Sequence, residues 1–248
     1  MNKNYLMLND TKTEFMMFGS PQDLAKVSGW TVTVGDFEIL PSTLARNIGA
    51  FLDPTMDMKG HINNTIRNCY AQLRSLSKIR RYLTLDATEK LIHAFITSRL
   101  DNLNSLLINL PDFQIRKLQL IQNSAARVIT KQKRSCHITP ILRDLHWLPV
   151  HCRIEYKILL LVFKCLNERG PAYLTECLQR YAPSRSLRSA EQQRLVEPKV
   201  KRKYGERAFS VAGPKLWNIL PLCIRQSQTV NSFKSALKTY LFKQEYKL

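Results

Sequence analysis

The chain has 248 residues, of which 44% are hydrophobic, and carries a formal net charge of +19 at pH 7. This length and apolar content indicate a globular chain of one large or two smaller domains with a real core. The longest apolar run, ILLLVF at residues 158–163, is far shorter than the ~20 residues that a membrane-spanning helix needs. The first residues lack the apolar stretch of a secretory signal, so we expect an intracellular chain whose six scattered cysteines are reduced.

Residues 1–57 contain four short, β-prone apolar runs that glycines and prolines separate. The runs are residues 15–18, 30–34, 37–40 and 48–52. They predict a small antiparallel sheet. Asp36 and Glu38 have the period-two spacing that places both carboxylates on one face of a strand. A solvated hairpin edge explains the pair more simply, and we predict no metal there.

Residues 58–130 are predicted to form three helices. Ile62, Ile66, Cys69, Leu73 and Leu76 have the spacing of an amphipathic helix. The other side of that helix carries a basic stripe of Arg67, Arg74, Lys78 and Arg81. Thr84 or Asp86 is expected to cap the second helix, and Pro111 and Asp112 open the third. The third helix contributes the basic residues Arg116, Lys117 and Arg127.

Residues 131–248 are predicted to form a basic, mostly helical domain. It starts with the polar linker KQKRS, which contains Lys131, Lys133 and Arg134. A short helix ending at Pro149 and a long apolar helix over residues 151–168 follow. Asn231 is expected to cap the last helix, and Trp147 and Trp217 are expected to anchor the core.

Residues 182–207 are the least regular part of this domain. Their basic residues include Arg185, Arg188, Lys199, Lys201, Arg202 and Lys203, among serine, glutamine and proline. We predict a flexible loop or ribbon that becomes ordered on nucleic acid.

Two cysteines and three histidines, Cys136, His137, His146, His151 and Cys152, suggest a zinc site at first sight. They lack the paired Cys-x-x-Cys spacing by which structural zinc sites are recognised. The prediction is therefore that they are helix-face or core residues and that the chain needs no cofactor.

Positive charge is concentrated after residue 57. Residues 1–57 have a net charge of −3, so the remainder carries +22. The stretches between Asp57 and Asp86 and between Asp112 and Asp144 contain six and seven bases and no acid. Solvated helix faces usually mix both signs. The pattern predicts a polyanionic partner, with RNA, DNA or their hybrid favoured over an anionic membrane surface.

Several short segments, in this order, resemble the carboxy-terminal third of a LINE (non-LTR retrotransposon) reverse transcriptase of the jockey-like or chicken-repeat-like group. They are LNDTKTEFMMFG at 8–19, ARNIGAFLD at 45–53, HAFITSRLDNLNSLL at 93–107, LPDFQIRKLQLIQNSAARVIT at 110–130, HITPILRDLHWLPVHCRIEYKILLLVFKCLN at 137–167, PAYL at 171–174, APSRSLRS at 182–189 and YGERAFSVAGPKLWNILP at 204–221. The strength of the resemblance lies in their order and spacing.

The resemblance implies an α+β, mostly α fold in three parts. Residues 1–57 would be the end of a polymerase palm with a primer-grip hairpin, and Lys12 would lie near the phosphates of the incoming nucleotide. Residues 58–130 would be the thumb that holds the template–primer duplex. Residues 131–248 would be the C-terminal domain.

The parent family synthesises DNA on RNA with magnesium held by aspartates. Those aspartates lie upstream of LNDTKTE, and the chain has no Asp-Asp pair. The resemblance thus implies a non-catalytic remnant that begins within the palm, as in a truncated element or an incomplete gene model. The alternatives are a host-retained nucleic-acid-binding or protein-interaction module and, less favoured, an independent enzyme.

Overall fold

The computed structural model describes residues 9, 12–27, 29–35, 37–182, 192–202 and 204–247. The described part is mostly helical with two small antiparallel sheets, which confirms the α+β, mostly α class. Residues 1–67 and 68–248 form two compact units.

The first unit contains a short helix and two hairpins. Helix α1 is Pro21–Lys26, and the strands are β1 (Val32–Val34), β2 (Phe37–Ile39), β3 (Ala45–Asn47) and β4 (Ala50–Leu52). Strand β1 pairs with β2 and β3 with β4, so two two-stranded sheets stand where one sheet was expected. Trp30, Leu40 and Ile48 are 63%, 68% and 84% exposed, so this unit buries few of its large apolar side chains.

Helix α2, Lys59–Ile79, begins in the first unit and ends in the second. The other helices are α3 (Leu85–Ile92), α4 (Ser98–Asp101), α5 (Asp112–Thr130), α6 (Ile138–Asp144), α7 (Val150–Leu166), α8 (Ala172–Thr175), α9 (Phe209–Ile219), α10 (Leu222–Arg225) and α11 (Val230–Tyr246). A π-helical turn, His93–Thr97, joins α3 to α4 without a break. The second predicted helix is therefore a helix that contains a π-bulge.

Helix α7 is the centre of the second unit's core. It packs against α5, α8, α9 and α11, and its apolar sequence suits burial on more than one side. The Phe163 ring stacks on Phe233 of α11 with centroids 4.2 Å apart, and Trp217 of α9 lies 5.9 Å from the same Phe233 ring. Trp147 and Trp217 are both buried, which confirms their prediction as core anchors.

Gly213 permits the close approach of α9 to α7. A Cβ atom at this position would lie 2.9 Å from a methyl carbon of Val162. Such a distance is too short for a carbon–carbon contact, so any larger side chain at Gly213 would push the two helices apart.

Polar contacts also join the predicted thumb to the predicted C-terminal domain. The Gln122 side chain donates to the Leu148 carbonyl, and the Val150 amide at the start of α7 donates to the Gln119 side chain, both at 2.9 Å. Arg153 of α7 forms an ion pair with Asp101 of α4. These contacts cross the predicted domain boundary at residue 130, and residues 68–248 form one compact unit.

Two helix caps differ in how well the sequence predicts them. The Thr84 side chain accepts a hydrogen bond from the Ala87 amide, which confirms one of the two predicted caps of α3. Helix α11 is capped by Thr229 and not by Asn231, because Thr229 and Ser232 each accept the other's backbone N–H. Such reciprocal bonding satisfies two amide groups that the helix leaves unpaired.

Arg80 is buried where α2 ends, although it belongs to a run of basic residues. Its guanidinium donates to the carbonyls of Val128 and Ile129 at 2.9 and 2.7 Å and to that of Leu83 at 2.9 Å. Val128 and Ile129 lie in the last turn of α5, where carbonyls have no partner within the helix. The cation also lies at the negative end of the α5 dipole. Arg80 thus fastens the end of α2 to the end of α5.

Replacing Arg80 by Lys should destabilise the protein by about 2–3 kcal/mol, because a single ammonium cannot reproduce the forked hydrogen bonds of the guanidinium to three backbone carbonyls. Urea unfolding followed by circular dichroism measures the change. Arg81→Lys is the matched control, since Arg81 is exposed and should change stability by less than ~0.5 kcal/mol. Equal stability of both variants would show that the Arg80 bonds contribute nothing.

Candidate nucleic-acid interface

The contacts of Arg80 bring two basic segments to one end of the helical core. Residues 78–81 lie beside residues 128–131, because Arg80 bonds to the carbonyls of Val128 and Ile129. The linker of residues 131–135 follows immediately and folds back, since the Arg127 side chain donates to the Cys136 carbonyl at 3.2 Å. We name the resulting surface the basic end. It comprises Lys78, Arg81, Lys131, Lys133 and Arg134.

All five side chains of the basic end are exposed. Across the described ranges, none of them lies within 4 Å of a carboxylate. Arg81 lies over the exposed ring of Tyr82, 4.6 Å from its centroid. An exposed cluster of cations with an adjacent aromatic ring offers charge to phosphates and a stacking surface to bases.

The remaining predicted residues before the linker lie in four places. Arg74 lies one turn before Lys78 and is exposed, whereas Lys12 and Arg67 are exposed in the first unit. Arg116 and Lys117 are exposed near the start of α5, far along the helix from the basic end. Arg127 is half-buried and bonded to the Cys136 carbonyl. The Arg127 side chain thus helps to hold the linker in place, and its contact with nucleic acid stays a prediction.

The predicted flexible segment, residues 182–207, needs a partial correction. Arg185, Arg188 and Lys203 lie outside the described residues, while Lys199, Lys201 and Arg202 are exposed. Residues 192–197 are held in place, because the Asn218 side chain accepts from the Leu195 amide and donates to the Leu195 carbonyl, both at 2.9 Å. The Trp217 indole donates to the Gln193 carbonyl, and Leu195 is buried.

A cavity of about 420 Å³ lies in the second unit beside α7. Its lining includes Trp147, Lys157 and Lys238 together with the Arg153–Asp101 ion pair. His93, from the π-helical turn, also lines it and packs against Trp147 with ring centroids 5.6 Å apart. Since Arg153 compensates Asp101, the two lysines give the cavity a positive character.

The five residues that suggested a zinc site do not come together as a group. The thiol of Cys136 donates to Gln132, and the His146 ring stacks on Phe242. Adjacent residues His151 and Cys152, however, meet Glu245 at the far end of the chain. Sequence spacing could not have revealed this set, because Glu245 is 93 residues from Cys152.

The chain matches no protein-family model, no curated protein and no solved structure in the three comparisons made. Within the described ranges, no helix combines the length and hydropathy that a bilayer crossing requires. Function must therefore be argued from the basic surfaces and from the sequence motifs.

Replacing Asn218 by Ala should loosen residues 192–197, because the Leu195 amide and carbonyl would both lose their partner while the bonds of Gln193, Arg194 and Val196 remain. Tryptic cleavage after Arg194, followed by mass spectrometry, should become at least several-fold faster. Asn231→Ala is the matched control, since the Asn231 side chain is exposed and is not the cap of α11. Equal cleavage in Asn218→Ala and the unmodified chain would show that Asn218 does not hold the segment.

Proposed function

We propose that the chain is a non-catalytic C-terminal segment of a non-LTR retrotransposon reverse transcriptase that binds RNA, DNA or their hybrid. The observation that carries the binding is the basic end, where five exposed cations from two separate sequence segments are gathered without an acidic partner in the described ranges. The polymerase relationship rests on the order of motifs in the sequence. Phosphates are the ligands that such a surface recognises, and they carry no sequence information.

Binding through the basic end should release counterions and weaken as salt rises. Changing Arg81, Lys133 and Arg134 together to Gln should reduce the slope of log affinity against log salt by about 2–3 on an RNA–DNA hybrid. The loss should be similar for hybrids of different sequence. Fluorescence anisotropy over a salt series measures both quantities.

The matched control is Arg169, Lys215 and Lys243 changed together to Gln. These three residues are also exposed. Their substitution removes the same amount of charge elsewhere in the second unit. The control should keep most of the slope, because it leaves the basic end intact. Equal losses in both triple variants would show that binding follows net charge and not the basic end.

The proposed absence of polymerase activity follows from the carboxylates that are present. Glu38 lies on an exposed hairpin and accepts a hydrogen bond from the Thr31 hydroxyl, and Asp36 lies outside the described residues. Metal-dependent nucleotidyl transfer needs carboxylates that converge on two ions. The purified chain should not extend a primer on an RNA template with nucleotides and magnesium. Extension that disappears in Asp36→Asn and Glu38→Gln variants would contradict the proposal.

A host-retained interaction module is the second candidate. It is favoured by the single core that residues 85–246 share, since such a core can present a surface without a polymerase palm. Both candidate functions include nucleic-acid binding only if the basic end is the surface that contacts the nucleic acid. A full chain that binds neither hybrid nor single strands at low salt would leave only the protein-interaction module.

A further inference from the structure

The first turn of α7 and the last turn of α11 place three potential metal ligands together. The Nε2 atom of His151 lies 3.2 Å from the Cys152 Sγ and 3.2 Å from an Oε2 oxygen of Glu245. The Cys152 Sγ lies 3.8 Å from the same oxygen. Three different ligand atoms therefore form a small triangle in which each atom contacts both others.

The size of this triangle matches one face of a zinc coordination tetrahedron. With Zn–N and Zn–O bonds of about 2.0 Å and a Zn–S bond of about 2.3 Å, tetrahedral angles require ligand separations of about 3.3–3.6 Å. The three separations differ from those values by only a few tenths of an ångström. Rotation of exposed side chains can absorb this difference, because His151 and Glu245 both reach the surface.

A nucleophilic Cys–His–Glu triad is the competing interpretation, and its geometry is wrong. In such a triad the two imidazole nitrogens serve different partners, whereas a single Nε2 here contacts both Cys152 and Glu245. Cys152 is also 5% exposed. Such burial leaves the thiol little access to a substrate. Atoms that converge on one point suit a bound cation instead.

The position of Glu245 provides an independent reason for a cation. A carboxylate in the last turn of a helix is opposed by the negative end of the helix dipole. Glu155, one turn beyond His151 on α7, provides a second carboxylate close to His151 and Glu245. A divalent ion would compensate the Glu245 carboxylate and the Cys152 thiolate.

We propose that His151, Cys152 and Glu245 form a Zn²⁺ site with a fourth position open to solvent. Thiolate and imidazole select zinc over magnesium or calcium, which prefer oxygen ligands alone. The ion would join the beginning of α7 to the end of α11. This site is separate from the basic end and does not depend on nucleic-acid binding.

Cobalt provides the test, because Co²⁺ occupies such sites and a Co²⁺–thiolate bond absorbs in the near ultraviolet. The full chain, stripped with a chelator, should bind one equivalent of Co²⁺ with this absorption band, and Zn²⁺ should displace it. Cys152→Ser should abolish the band, and Glu245→Gln should weaken Co²⁺ binding at least about tenfold. Zn²⁺ should raise the melting temperature of the unmodified chain but not that of Glu245→Gln.

Cys177→Ser and His146→Gln are the matched controls, since Cys177 and His146 are exposed and lie outside the triangle. Both variants should keep the band and its one-to-one stoichiometry. A missing band in the unmodified chain would overturn the proposal, as would a band that survives in Cys152→Ser. Glu245→Gln keeps the test decisive if the buried Cys152 variant fails to fold, because an unchanged Co²⁺ affinity in that variant also overturns the proposal.

Discussion

The bonds from Arg80 to the last turn of α5 determine where the surface charge of the second unit is placed. A buried guanidinium must find acceptors, and the unpaired carbonyls of a helix C-terminus supply them without an acidic residue. The carbonyls of Val128 and Ile129 therefore accept the hydrogen bonds that an aspartate or glutamate would otherwise accept. The basic neighbours Lys78 and Arg81 are exposed, so water solvates their charges. The same Arg80 bonds therefore hold the end of α2 against the end of α5 and bring the residues of the basic end together.

Helix α7 makes a second set of long-range connections. Its amino terminus is held by Gln119 and by the Asp101–Arg153 ion pair, and its middle is held by the stacked rings of Phe163 and Phe233. Neighbouring residues on a helix point in directions about 100° apart. The His151 and Cys152 side chains nevertheless contact each other at one edge of α7, and Glu245 of α11 contacts both of them. The packing that forms the core also forms the proposed metal site, and loss of either helix would remove both.

Periodicity predicted α2, α5 and α7 well, because an amphipathic stripe reports directly which face is buried. It could not predict that Arg80 turns inwards while Arg81 stays exposed, since adjacent arginines in a run without acids look alike in the sequence. Residues 192–197 were expected to be mobile from their polar composition, but Asn218 supplies backbone partners that composition does not record. The predicted domain boundary at residue 130 rests on a similar local signal. The boundary was predicted from a local change in sequence composition, whereas α7 packs against α5 across it.

Helix dipoles explain why some residues of the basic end are basic. The basic residues that the dipoles do not explain need a functional reason. Cations in the last turn of a helix are stabilised by about 0.3–1 kcal/mol. This accounts for Lys78 in the last turn of α2 and for Lys131 at the end of α5. The effect falls off beyond the terminal turn, so it does not account for Lys133 and Arg134. The positive charges of Lys133 and Arg134 repel each other, and no ion pair in the described structure offsets that repulsion. A phosphate backbone would supply that contact, and they are therefore the strongest structural argument for a polyanionic partner.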